Sequence, residues 1–345
     1  MKSGFAKLGR GRPDVAIDFG TAHTIVVDRT GSVVFDQPSL CCFTTGDTAP
    51  KLIAAGSEAK SFLGRVEGSL QISRPLRNGV LSDIRSASEL LRFSTRALVG
   101  RWSSRRLRAL IGVPADATQA ERKALETAAL DAGMATPTLV AEPILAAIGA
   151  DLDIDLPRGR MIVDCGAGIT EVAVISLGGI CVKRSSRGGS EELDRALSDH
   201  LRTRHRFRIG DASAERLKIQ VSQALLDGSD GSVSVSGLEL ASGMPTNITL
   251  PITELLPLWE RYIDRVVRIV RVALRETPPE LARDILEDGL MITGGAALTG
   301  LLVRSLSSST GIRVTVAPDT LQSTGLGLAA LLLATDDRVG RVAYN

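Results

Sequence analysis

Apolar runs that break at a carboxylate and a glycine occur twice in this chain and organise the rest of it. VAIDFGTAHTIVVDRTGSVVF (Val15 to Phe35) and MIVDCGAGITEVAVISLGGICV (Met161 to Val182) each read as apolar strand, Asp, Gly-containing turn, second apolar strand, turn and third strand. A shift of 146 residues lays Asp18 on Asp164, Gly20 on Gly166, Thr24 on Thr170 and Val26 on Val172. Such an internal repeat marks a duplicated unit. A Gly turn between strands offers backbone N–H groups at close approach, which suits an anion such as phosphate. One copy alone reads as an ordinary hairpin. Two copies with Asp at the same strand end need a common partner for buried carboxylates, and a metal ion would serve both.

Between and after the repeats the periodicity alternates between strand and helix. The stretch from Pro38 to Gly68 is irregular and reads as a small subdomain, RPLRNGVLSDI (Arg74 to Ile84) as a turn, and Ser86 to Leu98 as a helix. Leu107 to Val113 is an apolar strand that stops at Pro114. Thr118 with Glu121 three residues on is a capping box, and Gly133 supplies the helix stop. Leu139 and Val140 form a further strand, and a helix over Ile144 to Ala150 follows Glu142-Pro143. Later come a helix carrying Glu215, Leu217, Val221 and Leu225, a β meander over Ser229 to Leu250, and a long helix from Glu254 to Glu276. The last has Ile263, Val266, Val267, Val270 and Leu274 on one stripe and ends at Pro278 and Pro279. LMITGGAALTGL (Leu290 to Leu301) is a strand that delivers a Gly pair into a helix start, a third potential phosphate or nucleotide contact. Alternating strands and helices specify an α/β protein with mixed sheets.

Composition narrows this picture only slightly. At 345 residues the chain exceeds one typical core, so two lobes are expected. A net charge of +2 and 3% aromatic residues give no basis for nucleic-acid binding. The arginines at 202, 204, 206 and 208 read as a solvated or intersubunit face. Cys41, Cys42, Cys165 and Cys181 lack metal spacing and sit among apolar neighbours, so reduced, buried thiols in a cytosolic protein are expected. No apolar run is long enough to cross a bilayer and no signal core is seen.

Three Gly-rich turns after apolar strands, with Asp-x-Gly repeated, resemble the ATPase superfamily of actin, sugar kinases and heat-shock chaperones. Within it the chain is similar to the MreB-type bacterial actins: IDFGTAHT, RPLRNGVLSDI, IGVPADATQAERKAL, AEPILAAIGADL, VDCGAGITEVAVISLGG, SAERLKIQV, PPELARDILEDGLMITGGAAL and TGIRVTVAPD all look like family segments. The resemblance runs from about Val15 to Leu333 and implies an actin-like, ribonuclease H-like duplicated ATPase fold. That fold has two lobes, each with a mixed sheet flanked by helices, and four subdomains. On this scheme residues 1–13 are a basic N-terminal segment. Residues 14–33, 70–145 and 312–345 form subdomain IA, 34–69 IB, 146–181 and 246–311 IIA, and 182–245 IIB.

The resemblance also implies ATP or ADP with Mg²⁺ in the cleft. Gly20, Thr21, Ala22 and His23 would make the first phosphate loop, and Gly166, Ala167 and Gly168 the second. Asp18 and Asp164 would hold Mg²⁺, mainly through water. Glu215, Arg216, Leu217 and Lys218 match the adenosine-embracing segment, and Gly294, Gly295, Ala296 and Ala297 would close over the nucleotide. Glu142 falls where the family positions its hydrolytic water and is the expected catalytic residue, although a first-turn Glu before Pro also suits a helix start in its own right.

Several positions depart from the family pattern. Ala141 stands where a second acidic residue is usual, Ile169 replaces a hydroxyl, and His23 replaces an Asn. These predict retained binding, slower hydrolysis and a His23 that tunes affinity near neutral pH. APDTLQSTGLGLAALL also lacks the usual cysteine and glycine run.

Family membership would make the chain a slow ATPase whose head-to-tail filaments lie at the inner face of the cytoplasmic membrane, working with cell-wall synthesis proteins in cell-shape determination. The expected location is therefore cytoplasmic and peripheral at the inner membrane face. Leu98, Val99 and Trp102, flanked by arginines, form the candidate membrane surface. A divergent filament for organelle or plasmid positioning, or a small-molecule kinase on the same fold, are the alternatives.

Overall fold

The computed structural model describes residues 12–46, 50–65, 68–99, 106–228, 231–298, 300–334 and 336–343. The first lobe opens with β1 (Val15–Phe19), β2 (His23–Asp28) and β3 (Val33–Pro38). Next come β4 (Cys41–Thr44), β5 (Leu52–Ala55), α1 (Ser57–Ser61) and β6 (Leu70–Ser73), then a hairpin of β7 (Leu76–Arg77) and β8 (Val80–Leu81). After it stand α2 (Ile84–Val99), β9 (Ala109–Val113), α3 (Gln119–Asp131), β10 (Thr138–Ala141) and α4 (Glu142–Gly149). The second lobe repeats the plan with β11 (Arg160–Cys165), β12 (Ile169–Ser176) and β13 (Gly179–Arg187). It continues through α5 (Glu191–Arg204), β14 (Phe207–Arg208), α6 (Asp211–Leu226), β15 (Ser232–Glu239), β16 (Pro245–Pro251), α7 (Ile252–Glu276) and α8 (Pro279–Asp288). It closes with β17 (Leu290–Thr293), a short 3-10 turn (Gly295–Leu298), α9 (Gly300–Thr310), β18 (Val314–Val316), α10 (Ser323–Leu333) and α11 (Asp336–Val342).

The two large sheets have the same topology. One runs β3-β2-β1-β9-β10 and the other β13-β12-β11-β17-β18, an antiparallel triple extended by two parallel strands in each case. The register repeats as well: Asp18 faces Ile25 across β1 and β2, and Asp164 faces Glu171 across β11 and β12, at the same 146-residue offset.

Because strand side chains alternate, each central strand feeds two cores. Val15, Ile17 and Phe19 pack with α2 and α3, whereas Ala16 faces a layer shared with the other lobe. Met161, Val163 and Cys165 pack against α7, whereas Ile162 enters the same shared layer. That layer is built by α4 and α10 through Ile144, Leu145, Leu328 and Leu331. The two helices touch backbone to backbone: a Cβ at Gly149 would lie 1.8 Å from the Ser323 carbonyl oxygen, and one at Gly327 1.9 Å from that of Leu145. Only glycine permits this crossing.

The capping box of α3 is present, with Thr118 Oγ1 accepting from Glu121 N–H (3.2 Å) and Thr118 N–H donating to Glu121 Oε2 (2.7 Å). Three expected domain boundaries shift. A cut at residue 33 splits β3, which completes the first sheet, and a cut at 181 splits β13, which edges the second. Strand β18 pairs with β17 in the second lobe, so residues 312–316 do not belong to the first. The stretch read as irregular holds β4 and β5, which join β6 just beyond it in a three-stranded sheet. Cys181 is exposed on the outer side of β13, while Cys41, Cys42 and Cys165 are buried.

Candidate nucleotide site

A cleft of about 1370 Å³ separates the lobes and is lined from both. Gly20, Thr21, Ala22 and His23 enter from the β1–β2 turn, and Gly166, Ala167 and Gly168 from the β11–β12 turn. Both loops are tied down on their carbonyl side. Ser39 donates to Gly20 O through its hydroxyl (2.6 Å) and to Ala22 O through its N–H (2.9 Å). Ser190 and Glu191 N–H donate to Gly166 O and Ala167 O (3.0 Å each). Gly166 N–H closes the second turn onto Ile169 O (3.0 Å), so an anion would be met by the amides that follow it in the loop. The third loop uses Gly294 at φ 84, where a Cβ would meet the Cys165 carbonyl oxygen at 2.2 Å. Gly294, Gly295 and Ala296 line the cleft opposite Glu215 and Lys218 of α6.

Three half-buried carboxylates, Asp18, Asp164 and Glu142, converge between the loops, and the buried Glu171 lies beside Glu142 outside the cleft lining. Burial, then Asp164 and Asp36, push Asp18 up to about 7. Asp164 is also raised by burial, against a hydrogen bond donated by Thr293 Oγ1 to its Oδ1 (2.9 Å). Burial and the charges of Glu171, Asp18 and Asp164 hold Glu142 well above the ordinary glutamate value. Glu171 is raised by burial although Ala115 N–H donates to its Oε1 (2.7 Å). Glu171 Oε2 and Thr170 Oγ1 are both buried, and the Glu171 carboxyl shares a hydrogen bond with that of Glu142. Oxygen ligands crowded at the cost of raised pKa values fit a hard divalent cation.

The lobes also meet through polar contacts, two of them ion pairs across the cleft and the others outside its lining. Lys60 Nζ lies 3.2 Å from Glu215 Oε2, and Arg74 lies 3.3 Å from Asp211 Oδ2. Arg187 reaches Asp116 at 2.8 Å, and Lys183 Nζ donates to Ala115 O at 2.6 Å.

The MreB/Mbl protein family profile matches residues 12–338. The chain belongs to the MreB/Mbl family. It is 38% identical over 317 residues to the cell shape-determining protein MreB of Escherichia coli (strain K12), covering 91% of each chain. It is 31% identical over 319 residues to the cell shape-determining protein Mbl of Bacillus subtilis (strain 168), covering 92% of this chain and 95% of that one. Among solved structures, MreB 5 of Spiroplasma citri bound to AMPPNP superposes with a TM-score of 0.85 at 28% identity, covering 94% of this chain and 96% of that one. A MamK double helical filament superposes at 0.74 with 23% identity over 93% and 98%, which shows the fold. The fold of this MreB/Mbl family member is actin-like.

Against this frame of residues the expected site divides cleanly. The cleft brings together Asp18, Asp164, Glu142, both glycine loops, Glu215, Lys218, Gly294, Gly295 and Ala296. Arg216, Leu217 and Ala297 do not reach it. One face of α6 lines the cleft, so Arg216 on the other side is exposed and bonds Ser213 Oγ (2.9 Å), while Leu217 is buried in the second-lobe core. Ala297 is buried behind Ala296. Leu98 is likewise removed from the expected membrane surface, because it packs into the first-lobe core at 4% exposure. Trp102 lies outside the described residues, and α2 ends at Val99.

His23 lines the cleft mouth with Nδ1 3.1 Å from Asp36 Oδ1. Sequence reasoning did not single out Glu171, Thr293 or Asp36. The signal for Glu171 was present: at the repeat offset it replaces Ile25, placing a carboxylate inside the apolar run ITEVAVIS.

Proposed function

We propose that this protein is an ATP-dependent filament former in which Mg-nucleotide binds between the lobes and Glu142 directs slow hydrolysis. Family membership carries the coarse reading, a cytoskeletal protein of the cell-shape class. The finer reading rests on one observation above all: Asp18, Asp164 and Glu142 meet between two equivalent glycine loops inside an interlobe cleft, with the buried Glu171 beside Glu142. Relatives bound to AMPPNP and to ADP support a nucleotide there.

On this reading, loop amides cradle the phosphates, and Asp18 and Asp164 would hold Mg²⁺. Bound Mg²⁺ would supply charge neutralisation of the phosphates and of the carboxylates around them. Glu142 orients a water, and burial together with neighbouring charge makes its carboxylate a stronger base than an exposed glutamate. Thr293 fixes the Asp164 side chain through its hydroxyl. Lys60 and Arg74 bridge to α6 and to its start, so nucleotide that draws the lobes together is read out at the cleft rim.

The filaments are proposed to act at the inner face of the cytoplasmic membrane with cell-wall synthesis proteins. No helix among the described residues is long and apolar enough to cross a membrane, and Val99 and Trp102 among the arginines are the remaining candidate anchors. Light scattering and electron microscopy with ATP against ADP test the proposal. Polymer that depends on ATP supports it; ATP binding without polymer, with or without anionic lipid, overturns it.

A further inference from the structure

Histidine is scarce in this chain, with three in 345 residues, and two of the three converge on one carboxylate outside the interlobe cleft. His200 Nε2 lies 2.8 Å and His205 Nε2 2.5 Å from the same Glu254 Oε1. Their ligand atoms all fall within 4.8 Å of one another. None of the three lines the cleft.

The supports of this cluster are firm. His200 sits on the last turns of α5 and His205 caps it, its N–H bonded to Leu201 O (3.1 Å). Glu254 lies in the first turn of α7. Beside them Leu201, Phe207 and Leu255 are almost fully buried, which fixes the backbone that carries each ligand. The three side chains themselves are 22, 29 and 26% exposed, so an ion and its waters can reach them.

Two imidazole nitrogens and one carboxylate oxygen suit a borderline divalent transition ion, whereas Mg²⁺ and Ca²⁺ favour oxygen-only shells. Each neutral imidazole carries one ring proton, and moving it to Nδ1 turns the Nε2 lone pair toward the common point. The negative end of the α5 dipole also favours a cation there.

We propose that His200, His205 and Glu254 form a divalent metal site of the Zn²⁺ class, completed by water, that clips the end of α5 to the start of α7. The full-length protein is stripped with chelator, held in excess Mg²⁺ to occupy oxygen sites, and titrated with Zn²⁺ by calorimetry and with Co²⁺ by visible absorption. The expected result is one ion per chain, a Co²⁺ ligand-field spectrum and a Zn²⁺-dependent rise in Tm. Affinity should fall roughly tenfold or more in H200A, H205A and E254Q and stay unchanged in H23N and C181S, which separates this cluster from the cleft histidine and the exposed thiol. E254Q keeps the side-chain shape, so it reports on the ligand charge even where the histidine variants unfold. Absence of stoichiometric Zn²⁺ binding by the parent overturns the proposal, as does binding that persists in the H200A/H205A double variant or in E254Q, or that is lost in C181S.

Discussion

The two lobes carry the same five-strand sheet, yet the same place in each is used differently. Val163 pairs with Ile292 as Ile17 pairs with Ile111, so the next residues on the neighbouring strands, Thr293 and Gly112, occupy equivalent positions. Thr293 fills its place and bonds Asp164. Gly112 empties its own, and a Cβ there would approach Leu145 Cδ1 at 3.1 Å and Glu142 Cγ at 3.5 Å. One half therefore braces its aspartate, while the other makes room for the glutamate at the start of α4.

A second asymmetry opposes the first. Glu171 occupies the place of Ile25, so the second lobe supplies the carboxylate that faces Glu142. The loops repeat in both lobes; divergence at two strand positions makes the proposed reaction centre one-sided.

If the lobes divide labour in this way, E142Q should reduce phosphate release by on the order of 10²-fold or more while leaving ATP affinity within about threefold. Equal loss in E142Q and E171Q, followed by phosphate release and equilibrium binding, would erase the distinction between the two carboxylates. The shared layer gives the next largest effect. G149A or G327A inserts a methyl into backbone contact between α4 and α10 and should cost about 3 kcal/mol of stability, read by urea unfolding.

The aspartates sharpen the contrast further. Asp18 is raised to about 7 when no cation is present, above the carboxylate value of 3.8. Between these limits the folded state holds a proton that the unfolded state has released, so metal-free stability falls as pH rises from about 4 to 7. D18N should remove that slope and stabilise the metal-free protein by on the order of 2 kcal/mol at pH 8. D164N should gain less, because Thr293 already offsets part of the burial of Asp164. Thermal unfolding in chelator from pH 5 to 8 measures both.

The smallest change belongs to the loop residues that superpose at His23 and Ile169. I169T restores a hydroxyl beside the second loop and should raise hydrolysis by about threefold, worth under 1 kcal/mol. An unchanged turnover number would show that the Ile169 departure has no kinetic weight.

Much of this architecture is legible where a local rule operates. Thr118 and Glu121 are three residues apart, so their capping box is written in adjacent positions and α3 is read from them. Helix α5 has no equivalent mark, since Ser190 makes no side-chain cap hydrogen bond, and its start is hard to place from sequence. Strand β3 follows the repeat, but its exposed Val33 and Val34 blur where the first sheet ends. Helix α6 shows the same limit in the candidate site. SAERLKIQV identifies the helix, while only its packing selects Glu215 and Lys218 over Arg216 and Leu217.

The sequence by itself determined the duplicated strand units, the glycine loops, the paired aspartates and the family, because strand period, turn chemistry and motif order act over a few neighbouring residues. Tertiary structure alone decided that Glu142 meets Glu171, that Gly149 and Gly327 lie beneath crossing helices, and that His205 meets Glu254 from 49 residues away. Burial, charge coupling and metal geometry depend on distances between remote residues, and folding sets those distances.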